Sequence, residues 1–158
     1  MKKLQSIGIL VAIIAISLLS ACGSDASKKD QLTFEGYSFA KTSADGKIEE
    51  TTENTFAPGD AVHLVFKQVK TFELGEDGKH HLDLDLNAYD AKNQVIFSQE
   101  KILGESGITV LEQGVADSPY GTFHTSKALE SGEYTLELTL HDLVANTSVS
   151  QKAKFKLQ

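Results

Sequence analysis

The run His80-His81-Leu82-Asp83-Leu84-Asp85 is the place in this sequence where metal-ligating side chains recur at a spacing that could gather them. In an extended strand alternate side chains share a face, so His81, Asp83 and Asp85 project together, about 7 Å between successive members, while Leu82, Leu84 and Leu86 point the other way. Imidazole with carboxylates suits zinc or another divalent transition metal. His63 joins the set if its strand lies beside this one. Three groups along one flat strand cannot converge on an ion unless a neighbour supplies the rest of the shell. The competing reading is therefore a charged, solvated sheet face that discourages edge aggregation, on which Asp83→Asn changes stability little. Calcium fits less well, because its sites gather oxygens from turning backbone and no EF-hand loop is present.

Other chemistry is sparse. No nucleophile elbow, P-loop, Rossmann glycine fingerprint or zinc-protease helix can be found. His124, Ser126 and one of many acidic residues could be assembled into a triad, which keeps a small hydrolase open as an alternative, but a triad is recognised by geometry rather than composition. The expectation is a non-enzymatic protein with no cofactor.

The elements that would position these residues are strands. Val62, Leu64 and Phe66 alternate with His63, Val65 and Lys67; Tyr134, Leu136, Leu138 and Leu140 alternate with Glu133, Glu137, Thr139 and His141; Ala153, Phe155 and Leu157 alternate with lysines. Period-two alternation gives each strand one wet and one dry face, as in antiparallel sheets that close on each other. Turn signals at Ala44-Asp45-Gly46, Ala57-Pro58-Gly59-Asp60, Glu76-Asp77-Gly78, Asp90-Ala91-Lys92-Asn93 and Glu130-Ser131-Gly132 separate the runs. The pattern predicts strands over 32–40, 47–54, 61–70, 80–90, 94–103, 108–112, 121–126, 133–142 and 147–157. Turn residues Asp77, Asp90, Asn93, Asp117 and Asp142 read as structural. Gly104 to Asp117 mixes apolar residues with glycines without clean alternation, and such loops at sandwich ends are where binding usually sits.

The stretch from Gly132-Glu133-Tyr134 through Leu140-His141-Asp142 to Ala145-Asn146-Thr147 resembles the last hairpin of bacterial immunoglobulin-like modules, and Pro58-Gly59-Asp60 before Val62 is similar to the start of an inner strand in them. The resemblance implies an all-β fold, an antiparallel immunoglobulin-like β-sandwich over 31–158, and carries no activity. Tyr134 stands where a tyrosine corner would, though the two-cysteine core of antibody domains is missing.

Ahead of that domain, Met1-Lys2-Lys3 and the apolar run from Leu4 to Leu19 have the charged and hydrophobic regions of an export signal. As a helix, the strongly apolar part would be about 20 Å long, too short for a hydrocarbon core of roughly 30 Å. Leu19-Ser20-Ala21-Cys22-Gly23 resembles the lipobox of bacterial lipoproteins. The resemblance implies cleavage after residue 21, acylation of Cys22 with palmitate-like chains and stable attachment to a membrane. Cys22 is the one cysteine of the chain, so no internal disulfide competes for it. Residues 22–30 then form a lipidated cysteine and a small, polar tether, whose eight residues after the cysteine reach less than roughly 30 Å. Gly23 lacks the aspartate that resembles an inner-membrane retention signal, so the outer membrane is favoured in a diderm cell.

Composition narrows the partners. Loss of the leader changes the formal charge from −7 to −9 and leaves 137 of the 158 residues, enough for one core. All 15 basic residues are lysine, and an acidic chain without arginine's bidentate fork is a poor candidate for nucleic acid. With no Trp, 8 Phe and 4 Tyr, stacking platforms for sugars are weakly supplied. The sequence thus points to a lipid-anchored cell-envelope module that binds or assembles with an envelope protein or small ligand, with divalent-metal binding through His63, His81, Asp83 and Asp85 as the alternative.

Overall fold

Alternation builds the longest hairpin. The computed structural model describes residues 32–111, 115, 116 and 118–158; the leader, Cys22 and the tether over 22–30 lie outside the described residues. Strands are numbered in chain order: β1 Gly36–Thr42, β2 Ile48–Thr51, β3 Thr55–Phe56, β4 Ala61–Lys67, β5 Val69–Lys70, β6 His80–Tyr89, β7 Val95–Gln99, β8 Ile108–Thr109, β9 Val115–Ala116, β10 Tyr120–His124, β11 Gly132–Asp142 and β12 Thr147–Leu157. β11 and β12 pair along their full length, from Gly132 opposite Leu157 to Asp142 opposite Thr147. The turn between them is held by Asp142, whose Oδ1 accepts the amides of Val144 and Ala145 at 3.0 Å each. Asn146 completes it with a φ of 55°, a left-handed conformation that Asn tolerates.

Two sheets follow from the pairing. One runs β10-β4-β1-β2 and the other β3-β12-β11-β6-β7, with β8 continuing the β7 edge of β6 and β5-β9 forming a small ribbon. The sheets pack face to face as a β-sandwich, and no α-helix occurs among the described residues. Val62, Leu64 and Phe66 enter the core from one side, and Leu84, Leu86, Leu136, Leu138 and Leu140 from the other. Phe155 stands among the rings of Phe56, Phe123 and Tyr134, at centroid distances of 6.0, 6.4 and 5.6 Å, edge-on to the first two and stacked on the third, geometries that aromatic pairs favour. The sheets approach so closely at Gly121 that a Cβ there would stand 2.7 Å from Leu138 Cδ1. Tyr134, buried by this packing, donates its hydroxyl to the Glu130 carbonyl at 2.8 Å.

The structure corrects several boundaries. The strand expected over 61–70 breaks at Gln68, whose φ of 49° no strand accommodates. The one expected over 47–54 ends at Thr51 on β1, and a separate two-residue strand that the pattern did not predict, β3 at Thr55–Phe56, lies in the other sheet and pairs parallel with β12. The strand expected over 94–103 stops at Gln99.

The strand directions collect a distinct set of segments at each pole. β4 ends beside the entering chain, where Thr33 bridges Lys70. From there the chain passes to Glu73, whose amide donates to Asp142 Oδ2 at 2.7 Å. The start of β6, β8 and the β11–β12 turn therefore share a pole with Thr33. The turns at Ala57–Asp60, Asp90–Asn93 and Ser126–Glu130 occupy the opposite one, as their neighbours in the two sheets require.

Candidate binding cleft

His81, Asp83 and Asp85 do share the outer face of β6, as alternation requires, but they are not three free ligands. Asp83 is buried: its Oδ1 accepts the amides of Leu84 and Leu103 at 2.9 Å and of Gly104 at 3.4 Å. Asp85 Oδ1 accepts the Lys101 amide at 2.9 Å, and the Leu84 carbonyl accepts the Ile102 amide at 2.8 Å. Side-chain and main-chain acceptors of β6 thus fasten residues 101–104 across its outer face. Lys101 and Gly104 take φ values of 53° and 49° to follow this path. A single 3-10 turn, Gly104–Gly107, brings the chain back to β6, so tightly that a Cβ on Gly107 would lie 1.9 Å from the Leu82 carbonyl oxygen. β8 then pairs Ile108 with His81 and Thr109 with His80.

The imidazoles are held by carboxylates. β11 sets His141 directly opposite Asp83, and its Nε2 lies 2.8 Å from Asp85 Oδ2. His81 Nε2 lies 3.0 Å from Asp77 Oδ2. Asp77 sits in the turn before β6, where the Lys79 amide first and then the His81 imidazole hold its carboxyl below the usual carboxylate range.

Between this face and the loop lies a half-open cleft of about 470 Å³, lined by His81, Asp83, Asp85 and His141 beneath, by Glu100, Lys101 and Glu105 along the loop, and by Ile108 and Leu143 at the lip. Its polar floor, acidic rim and apolar lip suit a ligand with hydrogen-bond donors or positive charge at one end and an apolar body at the other.

His63 is not part of it. Its strand, β4, lies in the other sheet, between β1 and β10, so the neighbour expected beside β6 is in fact β11. The His63 ring is buried between two hydroxyls, with Nε2 2.9 Å from Thr42 Oγ1 and Nδ1 2.9 Å from Thr122 Oγ1. Burial first, and the neighbouring His124 second, lower its pKa from 6.5. The grouping of His63 with His81, Asp83 and Asp85 is thereby corrected, and among the described residues no group of three or more His, Cys, Asp or Glu is arranged to hold a metal ion. Ser126, considered above for a triad, accepts the Ala128 amide at 3.1 Å as a turn residue.

Local sequence does not single out His141, Glu100, Lys101 or Leu143. His141 carried a signal, since it occupies the wet face of its strand, but only the register with β6 reveals its partner. The irregular segment beginning at Gly104 was the other signal, and its first residues form the outer wall of the cleft.

No family model matches the chain, and no curated protein matches it. Among solved structures it is similar to the C-terminal domain of wzt, with a TM-score of 0.51 and 11% identity over 80% of this chain and 73% of that one. The likeness is one of fold. It supports the two-sheet β-sandwich and carries no site. The soluble domain of PmoD from Methylocystis sp. ATCC 49242 (Rockwell) aligns over 81% of this chain and 97% of its own, at 12% identity and a TM-score of 0.37.

Proposed function

We propose that the chain is a lipid-anchored envelope protein whose immunoglobulin-like sandwich binds a ligand or partner without catalysing a reaction, carried on a membrane by acylated Cys22, at the outer membrane in a diderm cell. The observation behind the binding role is the cleft over β6 and β11, whose outer wall is fastened by Asp83 and Asp85 and is therefore pre-formed. Pre-formed, partly apolar concavities with a few convergent polar groups are the usual form of a recognition site. Leu19 to Cys22 supports the anchor, and the Tyr134–Glu130 hydrogen bond supports the immunoglobulin-like assignment, because a tyrosine corner donates to backbone a few residues upstream.

Cross-linking of intact envelopes carrying the lipidated full chain tests the binding role. Capture by the wild type, lost in Glu100→Lys and His141→Ala, is the expected result; capture that survives both changes would remove the cleft from the reading. For the anchor, Cys22→Ser should leave a larger precursor, and labelled palmitate entering that variant would refute attachment at Cys22.

A further inference from the structure

We infer that the pole at which the chain enters the sandwich rests on the bilayer, with Leu74, Ile108, Val110 and Leu143 touching the boundary between lipid headgroups and acyl chains. The inference builds on attachment through Cys22 and goes beyond it by assigning an orientation and a contact surface.

Single exposed apolar residues are ordinary, whereas a gathered set marks an interaction surface. These four are exposed by 57, 42, 68 and 57%, respectively, and all surround the first residues of β6. Leu143 donates its amide to the His81 carbonyl, and Ile108 is the β8 partner of His81. Val110 stands between Thr109, paired with His80, and Leu111, whose amide donates to His80 Nδ1 at 3.2 Å. Leu74 lies between Glu73, bound to Asp142, and Gly75, where a Cβ would come within 3.4 Å of His81 Nε2.

The entering chain selects the occupant. Thr33 bridges Lys70 at this same pole, three residues before Glu73. From Cys22 to Leu32 an extended chain spans at most about 35 Å. The eleven residues of β11 are about as long. To bring the opposite pole to the membrane, the tether would have to retrace the whole length of the sandwich, leaving no reach to spare. The entry pole is within reach without extension, and it is the one with the ring of aliphatic side chains.

Charge refines the choice of lipid. Glu76, Asp77, Glu100 and Glu105 are exposed around the same pole, against the basic Lys79 and Lys101, while Lys70 is paired with Glu35. An acidic rim disfavours anionic headgroups, so the contact is apolar, made with zwitterionic lipid, and weakens as anionic lipid is added. The cleft runs from Asp85 and Glu100 to a lip formed by Ile108 and Leu143, so this orientation opens it at headgroup level.

The absence of tryptophan provides a clean reporter. Leu143→Trp and Ile108→Trp, with Val95→Trp on the β7 edge as the reference, would each be introduced into the lipidated full chain. The proteins would be reconstituted in phosphatidylcholine–phosphatidylethanolamine vesicles containing acyl-brominated lipid, with far-ultraviolet circular dichroism confirming the fold of each. The expected result is blue-shifted emission and strong bromine quenching at 143 and 108, neither at 95, and a smaller effect when phosphatidylglycerol is included. Equal quenching at all three positions, or none at 143 and 108 while the protein floats with the vesicles, would overturn the orientation and leave the anchor standing. Protection of 143 from aqueous acrylamide without bromine quenching would overturn it in favour of a second copy or a protein partner. A wild-type chain that fails to float with the vesicles would overturn the anchor itself, and the orientation with it.

Discussion

The Asp83 carboxylate accepts the backbone amide of Leu103 at 2.9 Å from twenty residues away, and through this bond the outer wall of the cleft is fixed to β6. The same oxygen takes the Leu84 amide, so one buried acceptor serves both the strand and the loop laid across it.

Removing that acceptor strands amide donors in a buried place. Asp83→Ala is expected to destabilise the protein by about 2–3 kcal/mol and Asp83→Asn, which keeps one oxygen but loses the charge, by about 1 kcal/mol. Urea unfolding measures both, and hydrogen exchange at Leu103 and Gly104 should accelerate in the same order. Unchanged midpoints in both variants would show that the loop is held by something else.

His63 is expected to make stability depend on pH near neutrality. Its folded pKa is lowered from 6.5 by burial and by His124, so below that pH the unfolded chain binds the proton more readily. Its contribution is complete above about 6.5 and is lost as pH falls towards the folded value. His63→Gln should therefore be less stable than the wild type at pH 8, with the gap narrowing towards pH 5. A gap that stays constant over this range would disprove the linkage. The lowered carboxyl pKa values of Asp45, Glu50, Glu53 and Asp77 act in a more acidic window and are common to both proteins.

Tyr134→Phe keeps the ring stacked on Phe155 and deletes the hydroxyl bond to Glu130. The expected loss is about 1 kcal/mol, against about 3–5 kcal/mol for Tyr134→Ala, which also empties the core position. Guanidinium unfolding of the pair separates the two contributions; a Phe variant as stable as the wild type would mean that the corner adds nothing.

Period-two alternation was enough to find β6, β11 and β12 almost to the residue, because a strand in a sandwich must put every second side chain into the core. What alternation reports is the face of a strand, not how deeply that face is covered. Asp83 and His63 both occupy outward positions, yet one is covered by residues 101–104 and the other is enclosed by Thr42 and Thr122. Nor does alternation say which strands are neighbours. The placement of His63 on the opposite sheet, and of His141 across from Asp83, depends on pairings between segments many residues apart, which no local pattern encodes. β3 escaped for the same reason: its two residues carry no period, and its place is fixed by Lys156 and Leu157 at the far end of the chain.

β1 begins at the pole where the chain enters, and β12 finishes at the other pole after running the length of the sheet. A pull between Gly36 and Leu157 would therefore draw each strand lengthwise along its neighbours. The hydrogen bonds of the β1–β4 and β11–β12 ladders would share such a load in shear, instead of opening one after another as in a peeled hairpin. The sandwich is thus laid out to resist tension applied lengthwise between its two poles.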